Sequence, residues 1–234
     1  MANSADGTGV SLRDRVIDAL MALAETRDWD QIEIGDIADE AGISLLELRD
    51  AFPSKGAILG GFARRMDHIV LSGASDDLLG ETDKDRIFDV LMRRFDALSP
   101  YKHALKRMAP ALARDPLSMA ALNQGALNSM RFMLASAGID TEGPMGLLKL
   151  QGAVLMFAKL MDVWFHDEDP GLSRTMAAMD EELKRGGMII NRLGDLCRMT
   201  APLSDAVHRM AEQGRRMAER RHPPRGNPDL DPSI

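Results

Sequence analysis

The sequence predicts an all-α fold. Apolar residues recur at spacings of three and four almost everywhere, and period-two alternation of strand length is hardly seen. Ser11, Ser44 and Ser54 each stand just ahead of such an apolar run, where a helix N-cap belongs.

Taken in order, the first helix is announced by Ser11 with Asp14 three residues on, a variant of the capping box, and it should end near Asp28. Its apolar face is Val16, Ile17, Leu20, Met21 and Leu23. A short second helix fits Ile34 to Ala41 and is stopped by Gly42; Ser44 then caps a third, Leu45 to Phe52, which Pro53 cannot continue. Ser54 caps a fourth, Lys55 to about Leu71, with Ile58, Leu59, Phe62, Met66, Ile69 and Val70 facing inward. Two short helices joined by a Gly-bearing turn and flanked by longer ones make a helix-turn-helix layout.

The pattern restarts near Lys84 and runs to Ser99-Pro100. Further helices fit Lys102 to Arg114, Leu117 to Ala137, Met145 to Phe165, Leu172 to Lys184, Met188 to Met199 and Leu203 to about Arg221. The helix from Met145 to Phe165 is apolar nearly all round and should be central or at an interface. Asp162 within it calls for a partner, with Lys159 or Arg131 as candidates. The expected domains are a disordered start at 1–10, a helix-turn-helix head at 11–71, a helical ligand and dimerisation body at 83–221, and a disordered Pro-rich end at 222–234.

Composition bounds the function. The 234 residues carry a formal charge of −7, against general attraction to phosphate or to anionic membranes. One cysteine, Cys197, suits a reducing compartment, and the absence of a leader or a long apolar run makes the cytoplasm the expected location. The five histidines show neither i,i+4 pairing nor HExxH spacing, and no Gly-rich phosphate loop occurs. No catalytic residue, metal site or cofactor is therefore expected, and the run His166 to Asp169 reads as a solvated turn. Seventeen methionines point to a core able to reshape around an apolar guest. Met156, Phe157, Met161, Trp164 and Phe165 are the candidate lining residues, with plain core as the competing reading.

The residues "DIADEAGIS", and Phe52 followed by "PSKGAIL", resemble the N-terminal domain of the tetracycline-repressor (TetR) family of regulators. That resemblance implies a TetR-type fold, a homodimer whose third helices enter the major groove of double-stranded DNA, and a body that binds a small hydrophobic effector. It further implies that Ser44, Leu45, Glu47, Arg49 and Lys55 face DNA, Lys55 at a phosphate. On base-edge chemistry, Glu47 is able to accept from cytosine and Arg49 to read guanine. The head is acidic, however. Residues 1–68 hold seven basic side chains against thirteen acidic ones, a net of −6.

A second resemblance lies further on. Asp167, Pro170, Thr175 and Asp180 are spaced as in the lipid-binding accessory proteins of coenzyme Q (ubiquinone) biosynthesis. It implies the alternative of an isoprenoid or lipid carrier that no longer reads DNA. The basic segment His208 to Gly226, with six arginines against two glutamates, would then offer peripheral membrane contact.

Overall fold

The computed structural model describes residues 11–73, 80–143 and 145–188, which are helical with no strand among them. Apart from Gly187 and Met188 they belong to one compact unit. The helices expected beyond Met188, the two terminal segments and the basic stretch from His208 lie outside the described residues.

Helix α1 spans Leu12–Thr26, with Ser11 Oγ accepting from Asp14 N at 3.1 Å. Every residue of its expected apolar face is buried. A 3-10 turn at Trp29–Gln31, not foreseen from periodicity, separates it from α2, Ile34–Ala41. Gly42 ends α2 at φ 63°, a left-handed conformation that side chains with a Cβ resist, and so aims the chain into α3, Leu45–Ala51.

Helix α4, Lys55–Ser72, leaves the head and enters the body. Its Gly61 is a close-approach position: a Cβ there would stand 2.7 Å from the Phe52 ring and 3.3 Å from Ile17. Five of the six residues expected to face inward do so, but Ile69 is half exposed, while its neighbour Val70 is buried.

The body begins with α5, Asp83–Leu98, and continues through a 3-10 turn at Ser99–Tyr101 into α6, Lys102–Arg114. Helix α7 spans Pro116–Ser136 and α8 spans Gly146–Phe165; a further helix, α9, covers residues 173–188. The α9 helix runs through Met188, where a break was expected. Leu91, Phe95, Met108, Met130, Met133, Leu150, Leu160 and Trp164 form the body core.

Polar joints fix α4 and α9 in place. Asp67 of α4 pairs with the buried Arg94 of α5 and accepts from Ser129 Oγ of α7 at 2.7 Å. Asp167, buried after α8, accepts from the backbone and hydroxyl of Thr175 in α9, both at 2.8 Å. Asp162 needs neither expected partner: it lies exposed on α8, while Lys159 pairs with Glu182 and Arg131 with Glu142.

Candidate nucleic-acid interface

Four of the five residues expected at DNA lie on α3 or its cap, and the fifth opens α4. Ser44 Oγ accepts from Glu47 N at 3.2 Å and donates to Glu47 Oε2 at 2.7 Å, while Ser44 N donates to the same oxygen at 2.8 Å. The Ser44 amide and hydroxyl, with Arg15 adding a smaller pull, hold the Glu47 carboxyl below its ordinary value. This is a closed capping box, with a carboxylate at the positive end of the helix. The capping bonds occupy Glu47 Oε2 and fix the carboxylate at the cap, leaving Oε1 as its acceptor toward the outside.

Leu48 and Ala51 anchor α3 in the core, which leaves Leu45, Leu46, Arg49 and Asp50 on its outer face. Leu45 is 58% and Leu46 71% exposed, high for leucine, and such side chains suit a thymine methyl group. Arg49 and Asp50 have no hydrogen bond or ion pair among the described residues.

Lys55 is placed otherwise than expected. Its ammonium donates to Trp29 O at 2.6 Å and Ile32 O at 2.9 Å and stands 4.1 Å from the Trp29 ring centre. Burial lowers its pKa, partly opposed by Asp30. Lys55 therefore clamps the 3-10 turn to α4, its ammonium joining the carbonyls of Trp29 at the start of the turn and Ile32 just after it. The other basic side chains of the head are similarly engaged. Arg13 donates to Ala51 O at 2.6 Å above the Phe52 ring, Arg27 pairs with Asp36, and Arg65 pairs with Asp18 and reaches the Tyr101 hydroxyl. Arg49 and Arg64 are the two head cations with no partner among the described residues.

In the body the five expected ligand residues come together on α8, but around packed side chains and not around an open pocket. Trp164 is fully buried, its ring centre 5.5 Å from those of Phe95 and Phe165. Phe157 stacks on Phe95 at 5.3 Å and lies 5.4 Å from the Arg94 guanidinium, while Met161 and Phe165 are half-buried. Met156 lines a void of about 10 Å³ between α5, α7 and α8. That holds at most about one water molecule, whereas a drug-sized ligand occupies upwards of about 300 Å³.

The Asp167 to Asp180 spacing has local structural work to do. Burial pushes the Asp167 carboxyl up, but its bonds from Thr175 outweigh that and hold it below the ordinary value. Asp169 accepts from Gly171 N and Ser173 N and so starts α9, and Asp180 bridges Lys84 and Lys184. Neither a cluster of three His, Cys, Asp or Glu side chains fit to hold a metal nor a helix long and apolar enough to cross a membrane occurs among the described residues.

The same architecture occurs in solved structures. A TetR transcriptional regulator of Nitrosomonas europaea ATCC 19718 matches 76% of this chain and 98% of its own at a TM-score of 0.62 and 20% identity. Regulators of Rhodococcus sp. RHA1 and Streptomyces coelicolor match with TM-scores of 0.55 and 0.51, at 16% and 17% identity and over 75% and 86% of this chain. They are matched over 95% and 99% of their own lengths. The fold is of the TetR type. No family model matches the chain. In sequence, 62 residues, 26% of the chain, are 39% identical to the HTH-type transcriptional regulator AlkX of Mycobacterium tuberculosis (strain ATCC 25618 / H37Rv). The match spans 29% of that relative's length. In this TetR-type fold the outer face of α3 thus leaves Leu45, Leu46 and Arg49 open, while Ser44, Glu47 and Lys55 make bonds within the head.

Proposed function

We propose that the chain is a TetR-like, DNA-binding transcriptional regulator that acts as a homodimer and is not an enzyme. The observation that carries this reading is the outer face of α3, where Leu45, Leu46, Arg49 and Asp50 are exposed while Leu48 and Ala51 hold the helix rigid. Exposing two leucines to water on that face has no structural use, whereas against base edges they supply methyl contacts beside a guanine-reading arginine. The local likeness to AlkX supports the same reading.

The homodimer is supported by an uncovered apolar strip on α8 and α9, Leu147, Leu148 and Leu155 with Met176. Pairing through it would set two α3 helices against successive major grooves about 34 Å apart. A small hydrophobic effector in the body completes the proposal, and the Met-rich core gives it a deformable host.

The test is selection of bound sequences from a random duplex pool, followed by anisotropy titrations at about 50 and about 200 mM salt. A palindromic site whose affinity falls with salt is expected. No bound sequence at the lower salt would end the proposal. For the dimer, Leu155→Glu should convert the protein to a monomer in light scattering; an unchanged dimer mass would place the interface elsewhere.

A further inference from the structure

Trp164 carries an indole Nε1 that is buried without an acceptor among the described residues. A buried N–H of this kind has lost its water and gained nothing in return, so it is primed for a ligand acceptor. Eight residues back along α8, about 12 Å at the helical rise, Met156 lines the void together with Leu91, Met130 and Met133. The stacked Phe95 and Phe157 fill the seam between the two points. From void to indole the seam is thus an apolar line, flanked at Phe157 by the Arg94 guanidinium, whose Nε is also without a partner among the described residues, and ending at the unsatisfied indole donor.

The surroundings of that donor choose the head group. Lys102 stands 5.1 Å from the Trp164 ring and donates to the backbone oxygen of Asp167. The Asp167 carboxyl is buried in the turn that follows Trp164. Lys102 and Asp167 bring one charge of each sign to this end of the seam, and Arg94, over the Phe157 ring, is already paired with Asp67, so no net positive charge is left for an anionic ligand, whereas a neutral carbonyl needs only the N–H.

We propose that the α5–α8 seam is the effector site, and that it takes an extended, uncharged molecule of about ten carbons with one terminal carbonyl acceptor for Trp164 Nε1. The word effector rests on the regulator reading above; the binding does not. The chain of such a molecule parts Phe95 from Phe157 and ends among the methionines, whose side chains turn aside at little cost.

Uniformly nitrogen-labelled full-length protein has two tryptophans and so two indole cross-peaks. Titration with methyl decanoate should move the Trp164 peak downfield to saturation and leave that of Trp29 in place. Decane, which lacks an acceptor, and decanoate, which is charged, should each bind about tenfold or more weaker, the loss of one hydrogen bond or one unpaired charge. Trp164→Phe should lose the preference of the ester over decane. A still Trp164 peak at saturation, no binding of the ester, decanoate as tight as the ester, or an unchanged preference in Trp164→Phe would overturn the proposal. Should that variant fail to fold, the peak shift and the ranking of the three probes in the unaltered protein decide alone. Failure of the DNA selection would remove the regulator and leave this site standing, so the two failures are separable.

Discussion

Substituting Lys55 by Met decides whether this residue serves the fold or the phosphate. Met keeps the length of the stem and removes the ammonium, so the carbonyls of Trp29 and Ile32 and the face of Trp29 lose their common cation. Hydrogen bonds to a charged group contribute about 1.5–3 kcal/mol each, and an exposed cation–π contact about 0.5–1. The two bonds share one partly solvated ammonium, so we discount the total to about 2 kcal/mol. For a chain of this size that lowers Tm by roughly 4–8 °C. Differential scanning calorimetry measures the shift, and anisotropy over a salt series measures the role at DNA. A clamp predicts a lower Tm and a weaker complex with an unchanged dependence of log Kd on log salt. An unaltered Tm with a slope reduced by about 0.9 is the signature of a lost phosphate contact and would refute the reasoning.

The other substitutions test neighbouring parts. Arg49→Met should leave Tm in place, because the side chain holds nothing, and weaken the selected site by about 1–3 kcal/mol with relaxed preference at one base pair; equal weakening on every sequence would instead mark a phosphate contact. Glu47→Gln bears on pH. A carboxyl depressed on folding from 4.5 adds stability that is whole above that value and drains as the pH falls through its lower folded value. The variant should be less stable than its parent at neutral pH and should converge with it in urea titrations as the pH is taken below 4.5; a constant gap would refute the capping role. Thr175→Val removes one hydroxyl from the buried Asp167 and should cost about 1–3 kcal/mol in chemical denaturation, and an unaffected midpoint would deny that joint its importance.

Much of the fold was legible because its elements announce themselves locally. Ser11, Ser44 and Ser54 are caps whatever surrounds them, and Gly42 ends α2 for a reason internal to one residue. The site was legible only as far as the scaffold. Lys55 reads from sequence as a cation at a helix start, and nothing within a few residues tells that two carbonyls wait for it 26 and 23 positions upstream. Arg94 likewise falls in an apolar run of α5 and reads as surface charge, because its partners, Asp67 and Ser129, come from two other helices. Glu47 is the instructive case in between. Its distance from Ser44 spells a capping box, yet the family resemblance drew attention to its outward reach.

These long-range polar contacts give α4 its part in the molecule. The helix is 18 residues, about 27 Å of rigid rod, held near its start by Lys55 on the head turn and near its end by Asp67 on the body. The Asp67–Arg94 pair is a poor source of net stability, since two ions leave water to make it, but removal of one member would strand the other. What it supplies is register: α4 can meet α5 and α7 in one position where both charges and the Ser129 hydroxyl are satisfied. Arg94 also lies over the Phe157 ring, one wall of the seam proposed for the effector. On the proposal above, a molecule that displaces Phe157 would act on the cation that fixes α4, and α4 would pass that change to the Trp29–Gln31 turn through Lys55.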